Sequence, residues 1–347
     1  MSGQARVVDG YDLIIFDLDG VVYLGTEPVP GAADAINRLH EEHRALAYAT
    51  NNAGRLPQDV AALLVSLGIP ASADEVITSP QAAARLLAER LPAGSRVLIV
   101  GADALRAEIA GAGLEPVDTA EDAPAAVVQG YGPDVGWRML AEASVAIRAG
   151  ALWVATNADR TLPSPRGPLP GNGSLVAALV TALDRAPDAI VGKPEPALFN
   201  QAAKRIGAQR PVVVGDRLDT DIEGAVRAGM DSVLVLTGVS TAQDLLAAPA
   251  HQRPTFVAFD LTGLFTVDSS SDESGSARLT PRGDPDQSAS GWRVSREGDA
   301  LELAGEGTPV EALRLLAAHS WDGGPPDAVM AAGSAAEEAL RVLRLTG

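Results

Sequence analysis

The sequence predicts an α/β fold: a Rossmann-like parallel sheet with helices on its faces, and a small C-terminal α/β extension. Three observations carry this. From Tyr11 onward short apolar runs alternate with helical patterns, the rhythm of a parallel sheet covered by helices. Several of the helices have legible ends. The alternation breaks after Val267 and resumes at Trp292.

Taken in order, strands are expected over residues 12–16, 45–49, 97–100, 126–129, 152–155, 212–214 and 233–236, each a short run rich in Val, Ile, Leu or Ala. Ser79 reads as an N-cap followed by Pro80 in the first turn. The helix after it, over 81–91, stops at Pro92-Ala93-Gly94. Pro196 opens another helix over 197–206. Residues 267–290 are read as a flexible linker, because from Asp268 on they are rich in Ser, Asp, Gly and Pro and carry Leu279 as their only large apolar residue. In the extension beyond it, strands are expected within 292–303 and over 328–331, and helices over 309–319 and 335–343. So few residues bury little by themselves. The extension therefore packs on the main body or on a second subunit, and a homodimer stays open.

Composition narrows the function. Cysteine is absent, which removes disulfides, thiolate metal sites and cysteine nucleophiles, so a metal must be held by oxygen or by one of four histidines. The formal charge of −18 repels polyanions, and no nucleic acid partner is expected. No apolar stretch is long enough for a membrane helix. The run Leu13-Ile14-Ile15-Phe16 is too short for a signal peptide and lacks a basic flank, so a cytoplasmic protein with no membrane partner is the expectation. Lys193 and Lys204 are the only lysines in an arginine-rich chain, which makes each more informative than usual.

Four segments carry candidate chemistry. Asp17-Leu18-Asp19-Gly20-Val21 follows the first strand, and ligands of open parallel sheets gather at the carboxyl ends of strands. There one carboxylate can attack phosphorus while the other gives and takes a proton. An ordinary Asp/Gly turn is the alternative. Thr50-Asn51-Asn52 closes the second strand and offers neutral donors to phosphoryl oxygens, though it also suits a plain strand-ending turn. Lys193, in Gly192-Lys193-Pro194-Glu195-Pro196, is presented from a stiffened loop beside a helix N-terminus, or is simply a solvated lysine. Gly215-Asp216-Arg217-Leu218-Asp219-Thr220-Asp221 crowds three acids at a strand end, which calls for a cation or hydrogen bonds. Magnesium commonly takes one or two carboxylates, so Asp216 with Asp17 would suffice; one of the acids can equally cap the helix that follows. The Val100-Gly101-Ala102-Asp103 turn lacks the further glycines of a dinucleotide fingerprint.

In this order and spacing, the segments resemble the haloacid dehalogenase (HAD) phosphatase superfamily, over about residues 11–265. The sequence is similar to the branch with NagD-like, p-nitrophenyl phosphatase-like and phosphoglycolate or glycerol 3-phosphate phosphatases. The resemblance implies a HAD core over 10–79 and 188–266 and an inserted α/β cap domain over 80–187; the small extension, over 291–345, lies beyond the region it covers. It implies Asp17 as nucleophile and metal ligand, and Asp19 as general acid/base that also lends its backbone carbonyl to the metal. Thr50, Asn51 and Asn52 would hold the phosphoryl group and Lys193 would neutralise charge. Asp216 would complete a Mg2+ site, with Asp221 in support. The acid at position 19 favours phosphatase chemistry over dehalogenation. An interval of roughly 140 residues between Asn52 and Lys193 is far too long for a loop and fits the cap.

Within the cap, Thr156-Asn157-Ala158-Asp159 and Pro170-Gly171-Asn172-Gly173-Ser174 match segments typical of the branch, although Ala158 stands where relatives often have proline. These residues either shape substrate access or are loop and N-cap chemistry. The expected partner is a small phosphorylated metabolite. Glycerol 3-phosphate ranks first, on overall likeness to actinobacterial glycerol 3-phosphate phosphatase-like proteins, whose own extension has been likened to an acetyltransferase fragment. Nothing in residues 292–343 points to an acetyl-CoA site. A phosphotransferase or phosphomutase of the same fold is the alternative, and a non-catalytic regulatory protein a more distant one.

Overall fold

A computed structural model describes residues 6–25, 27–162, 167, 169–265, 277–278 and 291–345. By its own contacts the chain divides into two compact units, one comprising the residues up to 46 and from 205 onward, the other residues 47–204.

The first unit is built on four parallel strands, in the order Phe256–Ala258, Asp231–Val235, Pro211–Gly215, Leu13–Phe16. Leu13 to Phe16 are all fully buried, as expected of a strand covered on both faces. Its register pairs Leu13 with Pro211 and Phe16 with Val214, so the residues that follow the two strands emerge side by side. On the other flank the N–H of Ile14 bonds the carbonyl of Ala45 (3.0 Å), just before the strand Leu46–Thr50. Most of the expected linker lies outside the described residues. Its described part, Ala277–Arg278, pairs antiparallel with Phe256–Val257 and adds a short strand to the sheet edge.

The C-terminal residues form an antiparallel pair, Trp292–Glu297 with Ala300–Gly305, and a third strand, Ala328–Ala332, parallel to the second. Helices Pro309–Gly323 and Ser334–Val342 accompany them. The extension packs on the main body of its own chain. Leu301, Leu313 and Leu316 share one buried cluster with Leu234, Leu246 and Val257 of the sheet and its helices. Polar contacts fix the seam: the Ser320 hydroxyl donates to the Leu246 carbonyl (2.6 Å) and the Trp321 indole to that of Leu245 (2.9 Å). The Arg253 guanidinium lies 4.8 Å from the centre of the Trp321 ring.

In the second unit, strand Leu46–Thr50 pairs in parallel with Val76–Thr78. A five-stranded parallel sheet follows, in the order Ala189–Ile190, Leu152–Ala155, Ala126–Gln129, Arg96–Val100, Glu115–Val117. The helix expected from residue 81 begins earlier, at Ser79, and its cap is Thr78 rather than Ser79. Thr78 and Gln81 bond each other's backbone N–H groups, a capping box. The Ser79 hydroxyl is used elsewhere. Among the described residues no helix is long and apolar enough to cross a membrane.

Candidate active site

Parallel pairing decides where the first set of acids lies. The N–H of Asp17 extends the ladder by one bond to the Val214 carbonyl (2.8 Å), and Asp216 follows the neighbouring strand one residue after Gly215. A single π-helical turn, Leu218–Ile222, then brings Asp221 back. Asp17, Asp216 and Asp221 are all buried, each with a carboxylate oxygen within 4.8 Å of the others'. The side-chain cluster thus includes Asp221, expected only in support. Asp19 lies outside it, half-buried in a turn closed by the bond from the Gly20 N–H to the Tyr23 carbonyl (2.8 Å).

A loop that the sequence reading passed over packs against this cluster. The N–H of Val239 donates to Asp216 Oδ2 (2.7 Å), and that of Ser240 to the Asp216 carbonyl (3.0 Å). The Ser240 hydroxyl accepts from the Leu218 N–H (3.0 Å), and the Thr237 hydroxyl donates to the Gly20 carbonyl (2.6 Å). Two glycines make the approach possible. Gly20 has φ +92, and a Cβ there would lie 2.5 Å from Asp216 Oδ2; at Gly238 it would lie 1.9 Å from the same atom. The available signal was Thr237-Gly238-Val239-Ser240 directly after a strand's carboxyl end.

The donor chemistry fits a hard divalent cation. Three buried carboxylates this close repel one another unless positive charge joins them, and an all-oxygen set suits magnesium or calcium.

In the second unit, Thr50, Asn51 and Lys193 are buried, and their arrangement differs in kind from a row of phosphate donors. The Asn51 amide grips the backbone of Lys193 at two points: Oδ1 accepts the Lys193 N–H (2.8 Å) and Nδ2 donates to its carbonyl (3.0 Å). Nδ2 also donates to the Asp159 carboxylate (3.1 Å to Oδ2). The Lys193 ammonium donates to the Ala49 carbonyl (3.2 Å), and the Lys193-Pro194 peptide is cis. The Asn51 carbonyl accepts from the Ser79 hydroxyl (2.9 Å) and from Asn157 Nδ2 (2.7 Å), while Asn172 Nδ2 donates to the Asn157 carbonyl (2.8 Å). Thr50 Oγ1 accepts from the Asn52 N–H (3.0 Å), which leaves its own proton to donate. Asn52 Oδ1 closes a turn with the Gly54 N–H (2.9 Å).

Comparison with known proteins agrees with this geometry. A haloacid dehalogenase-like hydrolase family model matches residues 14–115, and a second HAD-hydrolase-like model matches residues 190–264. The chain is 50% identical over 258 residues to D-glycerol 3-phosphate phosphatase of Mycobacterium tuberculosis, covering 74% of this chain and 72% of that one. The chain belongs to the haloacid dehalogenase-like hydrolase family. Within that family it falls among the phosphatases. An acid sugar phosphatase of Staphylococcus saprophyticus is 36% identical over 253 residues, 72% of this chain and 95% of its own. The crystal structure of glycerol phosphate phosphatase from M. tuberculosis in complex with magnesium superposes with a TM-score of 0.89 at 42% identity, over 98% of this chain and 99% of that one. The 4-nitrophenylphosphatase of Thermotoga maritima gives 0.69 at 33% identity, over 74% and 97%. A GCN5-related N-acetyltransferase-like domain model matches residues 289–345 of this HAD hydrolase, the extension described above.

Proposed function

We propose that the protein is a magnesium-dependent phosphatase that hydrolyses a small-molecule phosphate monoester, glycerol 3-phosphate foremost, through an aspartyl-phosphate on Asp17. The observation that carries this reading is the buried convergence of Asp17, Asp216 and Asp221 at the carboxyl ends of adjacent parallel strands. The likeness to a D-glycerol 3-phosphate phosphatase at 50% identity supports the substrate.

In this reading an Asp17 carboxylate oxygen attacks phosphorus in line. The bond from phosphorus to the ester oxygen breaks, and the Asp19 carboxyl protonates the departing alkoxide. Asp19, now a carboxylate, then takes a proton from water as that water attacks phosphorus, and the bond to Asp17 breaks to release inorganic phosphate. Asp17 and Asp216, with the Asp19 carbonyl, would hold magnesium beside Asp221, and the ion supplies positive charge to phosphoryl oxygens. The Thr50 hydroxyl and the Asn51 backbone N–H would hold phosphoryl oxygens that do not react, while the Asn52 N–H orients the Thr50 hydroxyl. Lys193 would offset the charge of nucleophile and phosphate, the main source of catalysis in phosphoryl transfer. Residues 80–187 are assigned as the cap that restricts substrates to small molecules.

Two measurements test this. Phosphate release from glycerol 3-phosphate, phosphoglycolate, sugar phosphates and nucleoside monophosphates, with magnesium present, should give the highest kcat/KM for glycerol 3-phosphate. A clear preference for another class replaces that substrate. Asp17→Asn should abolish turnover while keeping the native melting temperature, and a near-native rate would refute the nucleophile.

A further inference from the structure

Asn51 was expected to contact the phosphoryl group, yet its side chain is taken up by other partners. A primary amide has one acceptor and two N–H donors. Here the acceptor and one face of the donor end meet the N–H and carbonyl of Lys193, and the NH2 group also reaches Asp159. Reversed end for end, the amide would set its NH2 against the Lys193 N–H, and its oxygen against both a carbonyl and a carboxylate. Asp159 therefore reinforces the one orientation in which Asn51 can grip the Lys193 backbone.

The surroundings leave little freedom. Asn51 and Lys193 are 8% and 3% exposed. A Cβ at Gly192 would lie 2.4 Å from the Thr156 carbonyl and 2.6 Å from Asn51 Oδ1, so the loop is pressed between the ends of two strands. Asp159 is itself held in place: its N–H donates to Asn157 Oδ1 (3.2 Å), and Asn157 reaches across to the Asn51 carbonyl.

We propose that Asp159 is a positioning residue for catalysis, fixing the Asn51 amide so that it holds the Lys193 backbone and thereby aims the ammonium. The inference rests on the reading of Lys193 as the charge-neutralising group. Asp159 acts through Lys193 and has no contact with substrate in this scheme. A charge-assisted hydrogen bond is among the stronger polar contacts, and catalysis is sensitive to displacements of about 1 Å.

A double-mutant cycle read in kcat and KM for phosphate release, with melting temperature as folding control, tests this. Asp159→Ala should lower kcat about tenfold with KM changed less than about twofold. Asp159→Asn, whose Oδ1 can still accept from Asn51, should recover kcat to within about threefold of native. In a Lys193→Ala background, Asp159→Ala should cost less than about twofold more, because its effect passes through the missing side chain. A native kcat for Asp159→Ala, equal losses for Ala and Asn, or a full tenfold further loss beside Lys193→Ala would overturn the inference. A native rate for Lys193→Ala alone would instead remove the role given to Lys193. Should Asp159→Ala not fold, Asp159→Ser, too short to reach the amide, takes its place with the same expectations.

Discussion

At Gly238 the carboxylate of Asp216 comes closer to the backbone than any side chain would allow, and Val239 and Ser240 hold the same residue with two N–H bonds. One oxygen of Asp216 is thus fixed by the loop, which orients the carboxylate toward Asp17 and Asp221. Gly238→Ala must move either the loop or the carboxylate. We expect magnesium affinity, measured by calorimetry on the purified protein, to weaken at least tenfold while the melting temperature falls only modestly. Native affinity would separate the loop from the metal site. Asp216→Asn should weaken magnesium binding as well, and an unchanged metal requirement would remove that ligand. Asp17, Asp216 and Lys193 could be picked out in the sequence because each stands at a strand end or in a stiffened loop. Asp159 could not be assigned a role, since its partner Asn51 lies 108 residues away. A hydrogen bond across that separation leaves no local pattern.

Among the strands, those of four or more residues were legible and those of three or fewer were not. The strands Ala126–Gln129 and Leu152–Ala155 fall where expected. Val76–Thr78 and Phe256–Ala258, three residues each, are too short for any periodicity to register and exist because neighbouring strands offer them partners. The cap at Thr78 was misplaced by one residue because Ser79 is as good a cap by type; its hydroxyl is drawn instead to the Asn51 carbonyl. At the N-terminal end of the described chain, the Arg6 guanidinium bonds both Asp9 and Glu42, joining the short helix Val7–Gly10 to the end of helix Ala32–Glu41. The side-chain hydrogen bond from Arg6 lowers the Asp9 carboxyl from its ordinary 3.8 to about 2. A carboxyl lowered in the folded state stabilises fully above its unfolded value, and the gain is lost as pH falls from about 4 toward 2. Asp9→Asn should accordingly lower the melting temperature at pH 6 but narrow its gap to the native protein by pH 2.5. A gap independent of pH would contradict the pairing.

For the molecule as a whole, the extension is part of the core rather than an appendage. Leu316 is fully buried with Leu246 and Val257 in one cluster, and truncating such a residue costs about 2–5 kcal/mol. Leu316→Ala should therefore lower the melting temperature of the first unit as a whole, sheet and extension together. A protein ending near Val267 would expose the apolar side of the helix Ala242–Leu246 and should aggregate or melt far lower. A truncated chain with native stability and sedimentation would mean that this seam contributes little. The sequence by itself determined the α/β class, the strand ends that bear the candidate acids, and the membership implied by four ordered segments, because all of these are written in local runs of residues. Only the tertiary structure decided that Asp221 joins Asp17 and Asp216, that Asn51 clamps the Lys193 backbone and meets Asp159, and that the C-terminal residues complete the first unit's core. Each of those depends on pairing between segments far apart in the chain, where burial and hydrogen-bond geometry, rather than local pattern, select the partner.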